Sequence, residues 1–177
     1  MDLNFTIKTY DDLDFETKKI LVEIYHSYYE GVYGIDAFDA FLKVTNLKAD
    51  YYKNKIDLIN EYTNNYQRAL NAFNDDTTLI LIYKDNHLLG ASRIIKNRVL
   101  DVVFYELNKE EKRRYWQEVI IYIEGFLRKK KFKKMYIEIP LKEGPLLVRA
   151  NELGFVEDVD DIAGFEEVTY TLNKDLV

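Results

Sequence analysis

The sequence predicts an α+β fold: a mixed, mostly antiparallel central sheet flanked by helices, with an enlarged helical segment between the first and second strands. Three observations carry this expectation. Residues 77–106 hold three apolar, β-branched runs separated by two polar turns, the pattern of an antiparallel meander. A long amphipathic stretch and a further apolar run follow, so that strand, crossover helix and strand succeed one another over residues 98–139. Ahead of the meander, residues 14–73 place their apolar side chains at helical spacing.

Residues 5–10 alternate and predict a short first strand. Asp14 stands as an N-cap, with Glu16 in the first turn, where a carboxylate suits the positive end of the helix dipole. Ile20, Leu21, Ile24, Tyr25 and Tyr28 form the apolar stripe of that helix, and Gly31 and Gly34 end it. Asp36 caps a shorter helix carrying Phe38, Phe41, Leu42 and Val44, and Asp50 opens a third with Tyr52, Ile56, Ile59, Tyr66, Leu70 and Phe73. The meander strands are predicted at 77–83, 87–95 and 99–106, joined by turns at Asp85-Asn86 and Lys96-Asn97. Gly90 inside its strand marks a bulge or a close backbone approach. Asn108 and Glu111 have capping-box spacing and start a helix at Lys109, with Trp116, Val119, Ile120, Ile123, Phe126 and Leu127 on its buried side. Arg128-Lys129-Lys130-Lys131 falls in the last turn, where cations complement the dipole. A strand at 134–139 ends at Pro140, a helix at 145–153 is stopped by Gly154, and two strands follow near 155–159 and 167–172.

A chain of 177 residues predicts a single domain, 1–177, able to bury a real core. With 47% hydrophobic and 32% charged residues it reads as globular, and no apolar run approaches the roughly 18 residues of a membrane span. Met1-Asp2-Leu3-Asn4 lacks a signal-peptide pattern, and the absence of cysteine excludes disulfides and thiolate chemistry; both fit a cytoplasmic protein. The net charge of −6 gives no general attraction for nucleic acid or an anionic membrane. His26 and His87 are the only histidines, so no metal site is predicted. Eight of the 15 tyrosines lie between Tyr25 and Tyr66. They read either as an aromatic core with wet hydroxyls or as a substrate groove or partner-binding face. Exposed tyrosines or a strand edge would support a homodimer. No P-loop, dinucleotide fingerprint, zinc spacing or nucleophile elbow is present.

The element order, with Leu89-Gly90-Ala91 in the hairpin and Leu153-Gly154-Phe155 closing the last helix, resembles the GNAT superfamily of acetyl-CoA-dependent N-acetyltransferases over about residues 5–172. The resemblance implies a coenzyme site where the last meander strand meets the following helix, a corner that suits anions because helix N-termini present backbone N–H groups. The family's pyrophosphate pattern there is Gln or Arg, two residues, Gly, one residue, then Gly or Ala. It falls on Glu111-Lys112-Arg113-Arg114-Tyr115-Trp116, where Glu111, Arg114 and Trp116 replace the three motif residues. Glu110 and Glu111 already occupy the first turn, and like charges about 4 Å apart near a surface repel by roughly 4 kcal/mol. Lys109, Lys112, Arg113 and Arg114 offset this and would hold phosphates by side chain. A tyrosine acid that many family members carry four residues before the Gly of Gly-Phe is Ala150 here.

The coenzyme contacts implied by the resemblance are Phe104, Leu107, Lys112, Arg113, Arg114, Tyr115 and Trp116. Glu106, at the end of the meander, is the candidate general base and Tyr105 a candidate hydrogen-bond donor; an ordinary solvated glutamate is the alternative reading of Glu106. Glu138, outward between Ile137 and Ile139, either faces the cleft or makes a surface ion pair. Two functions follow. One is transfer of an acetyl group from acetyl-CoA to a primary amine on a small molecule or protein, the acidic balance favouring a cationic acceptor. The other is a non-catalytic GNAT-fold module that binds a protein or ligand through the tyrosine-rich helices.

Overall fold

A computed structural model describes residues 2–32, 77–105, 107–157 and 169–177. Strand β1 (Asn4–Lys8) leads through a 3-10 turn at Tyr10–Asp12 to helix α1 (Phe15–Val32). The meander is β2 (Thr77–Lys84), β3 (His87–Ile95) and β4 (Arg98–Phe104). Helix α2 (Lys109–Lys129), β5 (Lys134–Pro140), helix α3 (Pro145–Glu152), β6 (Val156–Glu157) and β7 (Thr169–Asp175) complete the chain. The strands form one sheet in the order β1-β2-β3-β4-β5-β7-β6. Every neighbouring pair is antiparallel except β4 and β5, which are parallel and joined by the crossover helix α2.

Local chemistry accounts for the turns and caps. Asp85 and Asn86 take φ of 50° and 64°, the doubly left-handed turn whose twist matches a two-residue hairpin. Asp14 Oδ1 accepts the Thr17 N–H at 2.8 Å and starts α1. Asn108 Oδ1 accepts the Glu111 N–H at 2.9 Å, while the Glu111 carboxylate takes the Asn108 side-chain amide at 2.5 Å in place of its backbone N–H. Helices α2 and α3 both end in Schellman geometry. Lys131 (φ 65°) and Gly154 (φ 95°) are the left-handed residues, and Phe132 N–H to Leu127 O and Phe155 N–H to Ala150 O close the two ends.

Two bulges set which side chains face which layer. Gly90 pairs with Ile82 and Leu88 with Tyr83, leaving Leu89 extra, and a methyl on Gly90 would overlap the Val103 carbonyl oxygen. Both readings of that glycine therefore hold. In β4, Asp101 pairs with Arg93 and Val99 with Ile94, leaving Leu100 extra. This reverses the alternation after Val99, so Val102 and Phe104 turn to the α2 side and Asp101 and Val103 to the α1 side. On the first side Trp116, Val119, Ile120 and Ile123 of α2 pack against Ile80, Ile82, Val99 and Ile137. On the other, Leu21, Ile24 and Tyr25 of α1 are buried with Leu79, Leu81 and Val103. Each fully buried large apolar side chain contributes roughly 1.5–3 kcal/mol, so both layers hold the sheet.

The structure corrects several expectations. The first strand stops at Lys8, and Tyr10 is buried in the 3-10 turn. Ile20 is 42% exposed rather than part of the α1 stripe, and Gly31 lies inside α1. The meander ends at Phe104, two residues early, with Tyr105 past the strand although its N–H still reaches Leu89 O at 3.0 Å. Tyr115 joins the core, whereas Phe126 is half-buried. Among the described residues the final strands run at Val156–Glu157 and Thr169–Asp175, so the first begins one residue late and the second ends three residues late, while residues 158–168 lie outside those described. The helices predicted from Asp36 and Asp50, Gly34, and most of the tyrosine cluster lie outside the described residues. Among the described residues, no helix is long and apolar enough to cross a membrane.

Candidate active site

Strands β4 and β5 pair only through Arg98–Tyr136 and Val99–Ile137. Beyond Val99 they part, because β3 holds the far edge of β4 and seven pairs with β7 hold the far edge of β5. The cleft between them is lined by Val102 and Phe104 of β4, Glu138 and Pro140 of β5, and Glu143 and Leu146 beyond β5. Lys112, Arg113 and Trp116 of α2 and Tyr28 of α1 complete the wall. Residues from opposite faces of the sheet thus meet in one opening. Its free space is about 40 Å³, enough for a few waters.

Charge is divided across the cleft. Lys112 and Arg113 project from the first turns of α2, and Arg113 Nε is buried with no hydrogen-bond partner among the described residues. Glu138 comes from β5, one residue beyond Ile137, the last to pair with β4, and its side chain is 6% exposed. Arg98 Nη1 lies 3.8 Å from its carboxylate, and the Arg98 guanidinium sits 4.8 Å from the Tyr136 ring. Glu138 therefore faces the cleft, and its ion pair with Arg98 lies inside the cleft wall and not at the surface.

Four of the residues expected at the coenzyme, Phe104, Lys112, Arg113 and Trp116, meet in the cleft. Arg114, Tyr115 and Leu107 do not line it. Tyr115 is fully buried, and its hydroxyl accepts from Lys84 Nζ at 2.6 Å and Arg114 Nη2 at 3.3 Å, which turns Arg114 toward β2. That hydrogen bond is also the main reason the Lys84 ammonium titrates above its ordinary value. Leu107 packs against the core, Tyr105 is half-buried outside the cleft wall, and Glu106 lies outside the described residues. Ala150 is fully buried and supplies no proton donor. Sequence reasoning missed Val102, Pro140, Glu143 and Leu146 as lining residues; they converge only through the divergence of two strands far apart in the chain. Tyr28 was visible as a helical stripe residue, without any sign that its helix reaches the cleft.

No family model and no curated protein sequence matches this chain. Solved structures do match it in fold. The PaiA N-acetyltransferase of Thermoplasma acidophilum, in complex with coenzyme A, superposes with TM-score 0.58 over 97% of this chain and 99% of its own, at 16% identity. The spermidine N-acetyltransferase SpeG of Vibrio cholerae gives 0.59 over 99% and 94%, at 11% identity. A GCN5-related N-acetyltransferase of Rhodopseudomonas palustris gives 0.56 over 99% and 96%, at 7% identity. The chain has the GNAT fold. With identities this low, the likeness is one of fold, and the roles of residues rest on this chain's own cleft.

Proposed function

We propose that this chain is an N-acetyltransferase moving the acetyl group of acetyl-CoA to a primary amine of a small molecule or protein. The observation that carries the reading is the β4–β5 divergence, which opens one cleft to both faces of the sheet, with cations on the α2 side and a carboxylate on β5. The solved PaiA complex with coenzyme A and the SpeG complex with coenzyme A and spermine support a coenzyme and an amine acceptor on this fold.

The donor set fits an anionic coenzyme through side chains. Lys112 and Arg113 offer charged donors to phosphate oxygens, and the buried Arg113 Nε gains a partner there. No glycine cradle stands at this corner, so the site is less preorganised than one built from backbone N–H groups. The β4 edge beyond Val99 has no ladder partner toward β5 and offers backbone donors and acceptors to an extended amide-bearing arm. Acetyl-CoA supplies the thioester. The amine nitrogen bonds to the acetyl carbon as the carbon–sulfur bond breaks, the nitrogen's proton passes to a carboxylate, and the sulfur leaves as thiolate. Glu138 and Glu143 are the described carboxylates of the cleft and Glu106 the one expected from sequence; Glu138 is the one on β5, with Arg98 beside it. A backbone N–H near the end of β4 would face the developing oxyanion.

The test is a titration with acetyl-CoA followed by melting. At about 100 times its dissociation constant the coenzyme adds roughly 2.7 kcal/mol of stability. No shift at millimolar coenzyme ends the reading. Glu106→Gln and Glu138→Gln then separate the two carboxylates: the variant that loses kcat while binding coenzyme normally names the proton acceptor. One observation favours the binding-module alternative. Trp116 stands where the family pattern has a small residue and narrows the cleft to its present volume. Under that alternative the titration shows no shift.

A further inference from the structure

A buried polar triad joins α1 to the sheet beside the cleft. Tyr25, Arg93 and Asp101 are 1%, 3% and 5% exposed. Asp101 Oδ1 accepts from the Tyr25 hydroxyl at 2.9 Å and from the Arg93 N–H at 3.1 Å, and its Oδ2 accepts from Arg93 Nε at 2.7 Å. The Arg93 guanidinium also lies 5.3 Å from the centre of the Tyr25 ring. Ser92 Oγ donates to the Asp101 carbonyl at 2.7 Å, which braces the same stretch of β4.

Apolar residues of equal volume would hold a helix on a sheet as strongly or more so, since a buried ion pair must first offset its own desolvation. Apolar packing, however, sets the rotation and height of the helix loosely. A phenol hydroxyl bonded to a carboxylate that is itself held by two further donors admits one position only. The triad sits where such a constraint matters. The Leu100 bulge turns Asp101 to α1 and its neighbour Val102 into the cleft. On the helix, Tyr28 follows Tyr25 by one turn on the same face and lines the same cleft. One hydrogen bond therefore ties the α1 wall of the cleft to its β4 wall.

We infer that Tyr25 is a positioning residue: its hydrogen bond to Asp101 sets α1 so that Tyr28 closes the α1 side of the cleft, and it thereby controls access of the acceptor rather than of the coenzyme. The kinetic part of this inference rests on the acetyltransferase reading; the positional part does not.

Tyr25→Phe keeps the ring and removes the bond, leaving Asp101 paired with Arg93. Trp116 is the only tryptophan in the chain and lines the cleft opposite Tyr28, so its fluorescence reports on the opening. A hydrogen bond to a charged group is worth about a tenfold to a hundredfold change in a local equilibrium, so α1 amides of the Tyr25→Phe protein should exchange faster by about tenfold or more. Acrylamide quenching of Trp116 should increase with them. The acceptor KM should rise by about tenfold or more with kcat and the coenzyme KM held, by the same conversion. Tyr28→Ala, at a half-buried position that does not threaten the fold, should reproduce the quenching and KM changes. Ile24→Val loosens α1 packing without touching the triad and should leave both at wild type. A Tyr25→Phe protein with a lower melting temperature but unchanged quenching and exchange overturns the inference, as does an Ile24→Val protein matching its KM change. If no amine is acetylated, the acetyltransferase reading fails alone, and quenching and exchange decide the inference.

Discussion

Arg113 and Arg114 are adjacent in sequence and have opposite surroundings. Arg113 lines the cleft with a buried Nε, whereas Arg114 is exposed and turned to the Tyr115 hydroxyl. By calorimetry, Arg113→Ala should weaken acetyl-CoA binding about tenfold to a hundredfold, the range for a lost hydrogen bond to a charged group, and Arg114→Ala should change it by less than about threefold. Equal losses would mean that both side chains reach the coenzyme. Gly90 makes a different point. A Cβ there would meet the Val103 oxygen and stand 2.9 Å from the Phe104 ring, so Gly90→Ala must push β4 away. Overpacking of this kind costs about 1–3 kcal/mol, which a denaturant melt would read, and because Phe104 lines the cleft the coenzyme affinity should fall as well. That a glycine was needed could be read from the sequence; which atoms required it could not.

Among the elements, α2 carries most of the organisation. Its start was legible because Asn108 and Glu111 announce a cap locally, and Asn108→Ala should cost about 1 kcal/mol in a urea melt. Its end shows a link that spacing could not reveal. Glu124 accepts from Arg128 Nη2 at 2.8 Å and from Lys174 Nζ at 2.9 Å, tying the helix to β7, and Arg128 Nη1 also donates to the Leu176 carbonyl. Burial pushes the Glu124 carboxyl up, but the hydrogen bonds from Arg128 and Lys174 outweigh it and hold it below its ordinary value. A carboxyl depressed in the folded state binds fewer protons there than in the unfolded chain. Its stabilisation is therefore complete above the ordinary value and is lost as pH falls through the folded one. Stability should decline below about pH 4.5, and Glu124→Gln should flatten that decline while lowering stability at neutral pH. An unchanged acid limb in the variant would assign the decline to other carboxylates. At the end of α3, Gly154→Ala should cost about 1–2 kcal/mol, since φ of 95° disfavours any side chain.

For the whole molecule, the decisive placement is that of β7. It enters from the end of the chain between β5 and β6, pairs with all seven residues of β5, and buries Leu172 in the main core, where Leu176 just past the strand joins it. By holding β5 on that side it keeps β5 from following β4, and the cleft results. Removing residues 169–177 should abolish cooperative melting rather than trim an edge, followed by circular dichroism; a truncated chain that still melts sharply would show that β5 is held by other means.

Local signals carried the strands, turns, caps and helix faces of this chain, because alternation, left-handed turn residues and cap spacing act within a few residues of one another. The meander turns, the start of α2 and the glycine end of α3 were legible for that reason. Those signals were enough to reach the GNAT fold through element order. They missed the end of β4 by two residues, because the Leu100 bulge and the parting from β5 are set by register against neighbouring strands. The cleft is non-local in the same way. Arg113 and Arg114 differ only in what the folded chain puts beside them, and Tyr25 meets Asp101 across 76 residues of sequence. Only packing decided which cations face the cleft and which helix closes it, since a side chain's surroundings depend on elements that the local sequence does not contain.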